Sequence, residues 1–164
     1  PIARQDAERQ VQAIRQVAPE FNNDPTAASR EIKLADGITC TVYPAMKEGR
    51  LNGAAVETSS NNGFAGEITV MAGFNADGSV RDYRVLKQAE TPGLGSKMEM
   101  WFRDPAGARS VIGKNPETTP FYVTKDKEQH GAIDGITAAT IPSRAFLESM
   151  RDAYQAYKQF QEKK

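Results

Sequence analysis

Three hydroxyl side chains in the stretch DGITAATIPS, those of Thr137, Thr140 and Ser143, are the residues best placed by type and spacing to do chemistry. Pro142 suits the first turn of a helix, because its missing N–H costs nothing there and its φ is preset. Thr140 therefore sits at or just before the cap of a C-terminal helix. A helix N-terminus offers unpaired backbone N–H groups and a partial positive charge, which together make a seat for phosphate. Ala138 and Ala139 carry little bulk, so a ligand can approach the backbone there, while Thr137, Thr140 and Ser143 add hydroxyl donors. The same residues also suit an ordinary threonine cap. A hydrolytic threonine fits less well, since it needs a base beside Thr140 and only Asp134 is near in sequence.

A second segment bears on the first. ETPGLGSK, from Glu90 to Lys97, directly follows a strand-like run. Pro92-Gly93 fits a tight turn, proline presetting φ and glycine accepting positive φ. Gly95 gives a second flexible point, and Leu94 between the two glycines is expected as an outward apolar tip that can pack on a planar ring. By itself the segment also reads as a plain surface loop between a strand and a helix.

The elements that must position these segments follow from periodicity. Residues 1 to about 18 read as a helix, with Ile2, Val11, Ile14 and Val17 near helical spacing. The stretch from Glu31 to Ser60 reads as a strand, a break and another strand, with Ile38, Cys40 and Val42 alternating against Thr39, Thr41 and Tyr43. GEITVMAGF and VRDYRVLK form a hairpin about an Asp77-Gly78 turn, with Ile68, Val70 and Ala72 on one side and Tyr83 and Val85 on one face. A short helix is expected over MEMWFRD and a strand at Phe121–Val123. The last helix carries one apolar stripe: Phe146, Met150, Tyr154, Tyr157 and Phe160. The pattern is α+β, with mainly antiparallel strands packed against an N-terminal and a long C-terminal helix.

Composition narrows the function. The chain has 164 residues, the length of one domain, with 21 basic and 21 acidic residues and no net charge. It has no dense Lys/Arg run, so nothing points to nucleic acid. One cysteine, Cys40, and one histidine, His130, supply neither a disulfide, a zinc set nor a Cys–His dyad. His130 is expected on the surface. Trp101 and Phe102 fit the core better than a wall beside a cofactor, and Glu67, Asp77 and Asp82 read as turn or solvent-facing carboxylates. No apolar run approaches the ~20 residues that cross a bilayer.

Taken in order, ETPGLG after a strand and D-x-I-T-x-A-T-I-x-S before the last helix resemble the FMN-binding domain of the Rnf and Nqr electron-transport complexes, most nearly the G subunit of the Rnf complex. The resemblance runs from about NNGFAGEITV to RAFLESM. It implies FMN attached covalently, through a phosphoester, to the last threonine of the motif, here Thr140, by a separate flavin transferase. It implies phosphate contacts from Thr137, Ser143 and the intervening Ala138, Ala139 and Ile141. Flavin contacts are expected from Glu90, Thr91, Gly93, Leu94 and Gly95, with Lys125 a weaker polar contact that reads equally well as a solvated turn lysine. The chain departs from the family pattern in Ala138, where glycine is frequent, in Pro142, where Thr or Ser is frequent, and in lacking the histidine that often precedes ETPGLG. The resemblance further implies a redox subunit of a larger complex, not a stand-alone enzyme, exchanging electrons between ferredoxin and NAD and coupling this to ion movement. It implies an N-terminal membrane helix before Pro1 and a flavin domain outside the cytoplasm. The alternative is a non-redox or reversible FMN- or phosphate-binding module of the same fold.

Overall fold

The alternation in TCTVY is that of a strand with two different faces, and the fold uses both. The computed structural model describes residues 11–24, 28–34, 37–63, 66–87, 94–104, 108–136 and 140–162. Five strands form one antiparallel sheet in sequence order: β1 (Arg30–Lys33), β2 (Thr39–Lys47), β3 (Arg50–Gly63), β4 (Gly66–Asn75) and β5 (Val80–Lys87). Among the described residues, three α-helical segments accompany the sheet, α1 at residues 11–17, α2 (Leu94–Trp101) and α3 (Thr140–Glu162), with a short 3-10 turn at Lys127–Gln129.

Cys40, Val42, Ala54, Val56, Ile68, Val70, Ala72 and Phe74 face α3 across the main core, where they meet Phe146, Met150, Tyr154, Tyr157 and Phe160. The apolar stripe expected of the last helix is therefore the one it buries. Phe74 stacks on Tyr157 at 5.5 Å between ring centroids and meets Tyr154 edge-on at 6.0 Å. Residues one step out of phase, Tyr43, Ala45, Ala55 and Met71, face the other way and pack on Ala13, Ile14, Val17 and Ala18 of α1 and its end. The sheet is thus sandwiched between α1 and α3, and each large side chain it hides contributes ~1.5–3 kcal/mol relative to exposure. Gly73 permits the close seat of α1: a Cβ there would lie 1.9 Å from the Val17 carbonyl oxygen.

Three expectations change. Glu31 to Ser60 holds parts of three strands, because β2 turns into β3 within two residues, Glu48 (φ 54°) and Gly49 (φ 77°). Positive φ at both positions matches the twist of a two-residue hairpin. The helix expected over MEMWFRD begins earlier, at Leu94, so Leu94 and Gly95 are helical and not loop. It ends at Trp101 in a tight turn, with Arg103 N–H on Met100 O and Asp104 N–H on Trp101 O, just before Pro105 would break it. Phe121–Val123 is no strand. Val123 makes a single bridge to Ile133, and the chain then turns at Thr124 and Lys125. Phe121 and Val123 are buried and Tyr122 only half-buried between them. That alternation comes from plugging the α3 core, not from a ladder. The Asp77-Gly78 hairpin turn is present, with the Asp77 carboxylate accepting from the Ser79 amide (2.9 Å) and hydroxyl (2.7 Å). These bonds, the amide first, hold its carboxyl below the usual range.

Candidate functional site

Thr140 is the first residue of α3, a helix of 23 residues with no acidic side chain in its first turn. Pro142 falls inside that turn, where its missing N–H removes no intrahelical bond. Ser143, in the first turn of the helix, is fully buried. Its Oγ accepts the Ile136 amide at 2.8 Å. This bond folds the segment before the threonines back onto the helix that follows them. Gly135 lies tightly in the fold made by this turn-back: a Cβ there would come within 3.1 Å of Val123 Cγ1 and 3.4 Å of Ser143 Cβ.

Asp134 anchors the same segment. Its carboxylate accepts from Thr124 Oγ1 (3.0 Å) and the Ala108 amide (3.3 Å), its own amide donates to Ala108 O (2.7 Å), and its carbonyl accepts from Trp101 Nε1 (2.8 Å). Both carboxylate oxygens thus have structural work, which argues against Asp134 as a base for a reactive threonine. Trp101 is half-buried, with Arg109 over its ring at 3.9 Å and Arg109 paired to Asp104 at 3.1 Å. Next to it Phe102 is fully buried and stacks on Phe146 at 4.4 Å. Tyr83, whose hydroxyl donates to Met98 O at 2.6 Å, meets the other side of Phe146 at 4.9 Å. Phe102, just past the end of α2, and Tyr83 of β5 thus both meet α3 at Phe146.

Of the residues expected at the site, Glu90, Thr91, Gly93, Thr137, Ala138 and Ala139 lie outside the described residues. Leu94 and Gly95 open α2, and Thr140 and Ile141 open α3. Ser143, expected as a phosphate donor, is engaged by Ile136. Lys125 sits in an exposed turn, and His130 is exposed in a left-handed conformation (φ 56°). Asp82 is not simply solvent-facing: it pairs with Arg103 at 2.8 Å, and Arg103 also donates to Tyr83 O and lies over the Tyr83 ring at 4.7 Å.

Sequence reasoning missed a cavity of about 300 Å³ on the outer side of α3. It is bounded by Tyr122 and Asp126 from the turn segment and by Arg144, Leu147 and Arg151 from the helix. Arg144 grips Asp126 with Nε (3.1 Å) and Nη2 (2.7 Å). These hydrogen bonds, with the charge of Asp126, raise the pKa of the guanidinium further. Arg151 donates to Phe121 O at 2.6 Å and lies 3.9 Å over the Tyr122 ring. The signal in the sequence was the arginine repeat on one helical face, which reads equally as a solvated stripe.

The residues present fit a phosphate. A long helix begins at a hydroxyl residue, its first turn carries no acid to neutralise the exposed N–H groups, and Ile136 upstream is tied to it through Ser143. Among the described residues no group of His, Cys, Asp and Glu could hold a metal, and no helix is long and apolar enough to cross a membrane.

Comparison with known proteins agrees with this arrangement. The FMN-binding domain family matches residues 63–155, more than half of the chain and the span from the end of β3 into α3. The G subunit of an ion-translocating oxidoreductase complex from Cereibacter sphaeroides is 36% identical over 153 residues, covering 90% of this chain and 67% of that protein. The G subunits of the complexes of the same name from Aliivibrio fischeri (30% over 167 residues, 98% of this chain and 79% of that one) and Vibrio cholerae (30% over 173 residues, 98% and 78%) are also similar. The chain belongs to the FMN-binding domain family, together with the G subunits of ion-translocating oxidoreductase complexes.

Proposed function

We propose that this chain is the flavin-carrying G subunit of a membrane-bound, ion-translocating oxidoreductase complex of the Rnf type, and that it holds FMN covalently through a phosphoester on Thr140. The observation that carries the reading is the position of Thr140 as the first residue of α3, within the segment that matches the family. When bound, FMN supplies one- and two-electron transfer. The protein's own part is to fix that group. The α3 N-terminus and the hydroxyls of Thr137 and Thr140 meet the phosphate, with Ala138, Ala139 and Ile141 giving it room. Ser143 keeps the loop in shape through Ile136. Glu90, Thr91, Gly93, Leu94 and Gly95 would contact the flavin, with Lys125 a weaker polar contact. Attachment joins Thr140 Oγ to the FMN phosphorus as the P–O–P bond of a flavin dinucleotide donor breaks; the nucleoside monophosphate leaves with the hydroxyl proton, so the product is heavier than the free chain by FMN less one water. A separate transferase makes the bond. Thr140 therefore needs no general base of its own, which accords with both oxygens of Asp134 being engaged.

In the same reading the partners are the other subunits of the complex, which passes electrons between ferredoxin and NAD. A single N-terminal membrane helix anchors the chain and leaves the flavin domain on the extracytoplasmic side. The test is to produce the chain together with a flavin transferase of this family and to run it on a denaturing gel. A fluorescent band with the added mass of FMN less water is expected. Flavin that leaves the chain on denaturation would replace this reading with reversible binding.

A further inference from the structure

We infer that the groove between the end of α1 and β5 receives an acidic segment of another protein, gripped through its carboxylates by Arg15 and Arg81. The groove has a volume of about 460 Å³, and Arg15, Ala18, Pro19, Phe21 and Arg81 are among the residues that line it. It lies on the face of the sheet that α1 covers, whereas α3, which begins at Thr140, packs on the other. The loop residues 18–23 also precede the segment matched by the FMN-binding domain family. The inference therefore goes beyond the flavin reading and does not rest on it.

Charge gives the class of ligand. Arg15 is exposed and makes no hydrogen bond or ion pair among the described residues. Arg81 donates to Ala18 O at 2.9 Å, which leaves most of its guanidinium donors open. The carboxylate of Glu20, also on the groove, is taken by Lys47 at 2.8 Å. A chain with no net charge thus presents, on one groove, two guanidiniums that no described carboxylate pairs. A guanidinium is a planar fork that matches a carboxylate. Shape gives the form of the ligand. Arg15, Glu20, Asn22 and Arg81 are all exposed, so the groove is open along its rim and does not enclose a small molecule to the ~70–90% burial usual for such ligands. Its floor is apolar, with Ala18 and Pro19 buried and Phe21 half-buried. An extended segment with an apolar side chain beside its carboxylate fits both parts. The wall is fixed before anything binds: Asn23 accepts the Met46 amide (2.8 Å) and donates to Pro44 O (3.0 Å), and Asn52 donates to Glu20 O (2.7 Å). A preformed wall lowers the ordering cost of association.

The test offers the immobilised full chain two libraries of short synthetic peptides, one with Asp or Glu at fixed positions in an otherwise random sequence, the other with Asn or Gln at the same positions. Preferential retention of the acidic library is expected at low salt, falling as salt is raised, because exposed charges are screened. The retained peptides are expected to carry an apolar or aromatic side chain beside the acid. With one retained peptide, Arg15→Gln and Arg81→Gln are each expected to weaken binding about fivefold, the worth of one exposed charge pair. Arg81→Lys should lose less than Arg81→Gln, and Glu20→Gln should tighten binding, since a negative charge leaves the rim. Circular dichroism checks the fold of every variant. Arg15 has no hydrogen bond to lose, so Arg15→Gln keeps the test decisive even where Arg81→Gln disturbs the turn after α1. Citrate supplies the small-anion arm: citrate bound as tightly as the retained peptides would make the groove a small-anion site and overturn the peptide assignment. Equal retention of the two libraries, or a retained peptide that binds folded Arg15→Gln as tightly as the wild type, overturns it as well.

Discussion

Trp101 donates its indole N–H to the carbonyl of Asp134 at 2.8 Å, across a sequence separation of 33 residues. This bond joins the end of α2, a helix that begins within ETPGLG, to the segment that precedes TAAT, and so couples two stretches that are far apart in the chain. Trp101→Phe keeps the ring under Arg109 and removes the donor. A loss of about 1 kcal/mol in stability is expected, read as a lower urea midpoint at unchanged slope.

Ser143→Ala leaves the Ile136 amide without its buried acceptor. The expected cost is about 1–3 kcal/mol, the penalty of an unsatisfied buried donor, measured by urea denaturation. The same variant should slow attachment of FMN while Thr140 is intact, because the loop before the helix loses its tie. An unchanged rate of attachment would show that this tie does not shape the phosphate site.

Gly73→Ala tests how α1 is seated. The new Cβ would meet the Val17 carbonyl at 1.9 Å, and backbone on both sides has to move. Destabilisation of about 2–4 kcal/mol is expected, as a fall in melting temperature. A stability close to wild type would mean that α1 does not press on β4 in solution.

The pair Tyr154–Glu117 gives a pH signature. The Tyr154 hydroxyl donates to the Glu117 carboxylate, and Lys158 pairs with it at 3.0 Å; both hold the Glu117 carboxyl below its usual range, the tyrosine most. On the partner side, burial and then Glu117 push the Tyr154 hydroxyl up to about 12. Because the carboxyl is depressed in the fold, its contribution is present above the ordinary value of 4.5 and is lost as pH falls through the lower folded value. Glu117→Gln should therefore be less stable than wild type at neutral pH, with the difference shrinking to nothing in acid. A difference that is constant from neutral pH down to the acid limit would rule out the carboxylate as its source.

Much of this was legible in the sequence because it depended on local period. The α3 stripe from Phe146 to Phe160, the two-faced run around Cys40 and Val42, and the Asp77-Gly78 hairpin each follow from spacing and turn chemistry alone, and all three appear as expected. The misreadings came where tertiary contacts outweigh local pattern. Phe121 and Val123 alternate like a strand because they fill the core beside α3, while their backbone pairs only once with Ile133. Leu94 and Gly95 look like loop, since glycines interrupt the helical pattern, yet Met98 and Phe102 carry the helix into the core. The outer cavity of α3 could not be seen from one helix, because Tyr122 and Asp126 reach it from another segment. At the candidate site, the start of the helix at Thr140 was legible. The tie from Ser143 to Ile136 was not, because a serine in a first turn reads as a donor toward solvent or ligand.

The most direct measurement is the intact mass and denaturing-gel fluorescence of wild type and Thr140→Ala, each produced together with the flavin transferase. We expect the wild type to carry one FMN less one water, with the mass mapped to the peptide that contains Thr140, and Thr140→Ala to be colourless at the unmodified mass. Covalent flavin on folded Thr140→Ala would contradict the assignment of Thr140 as the attachment point.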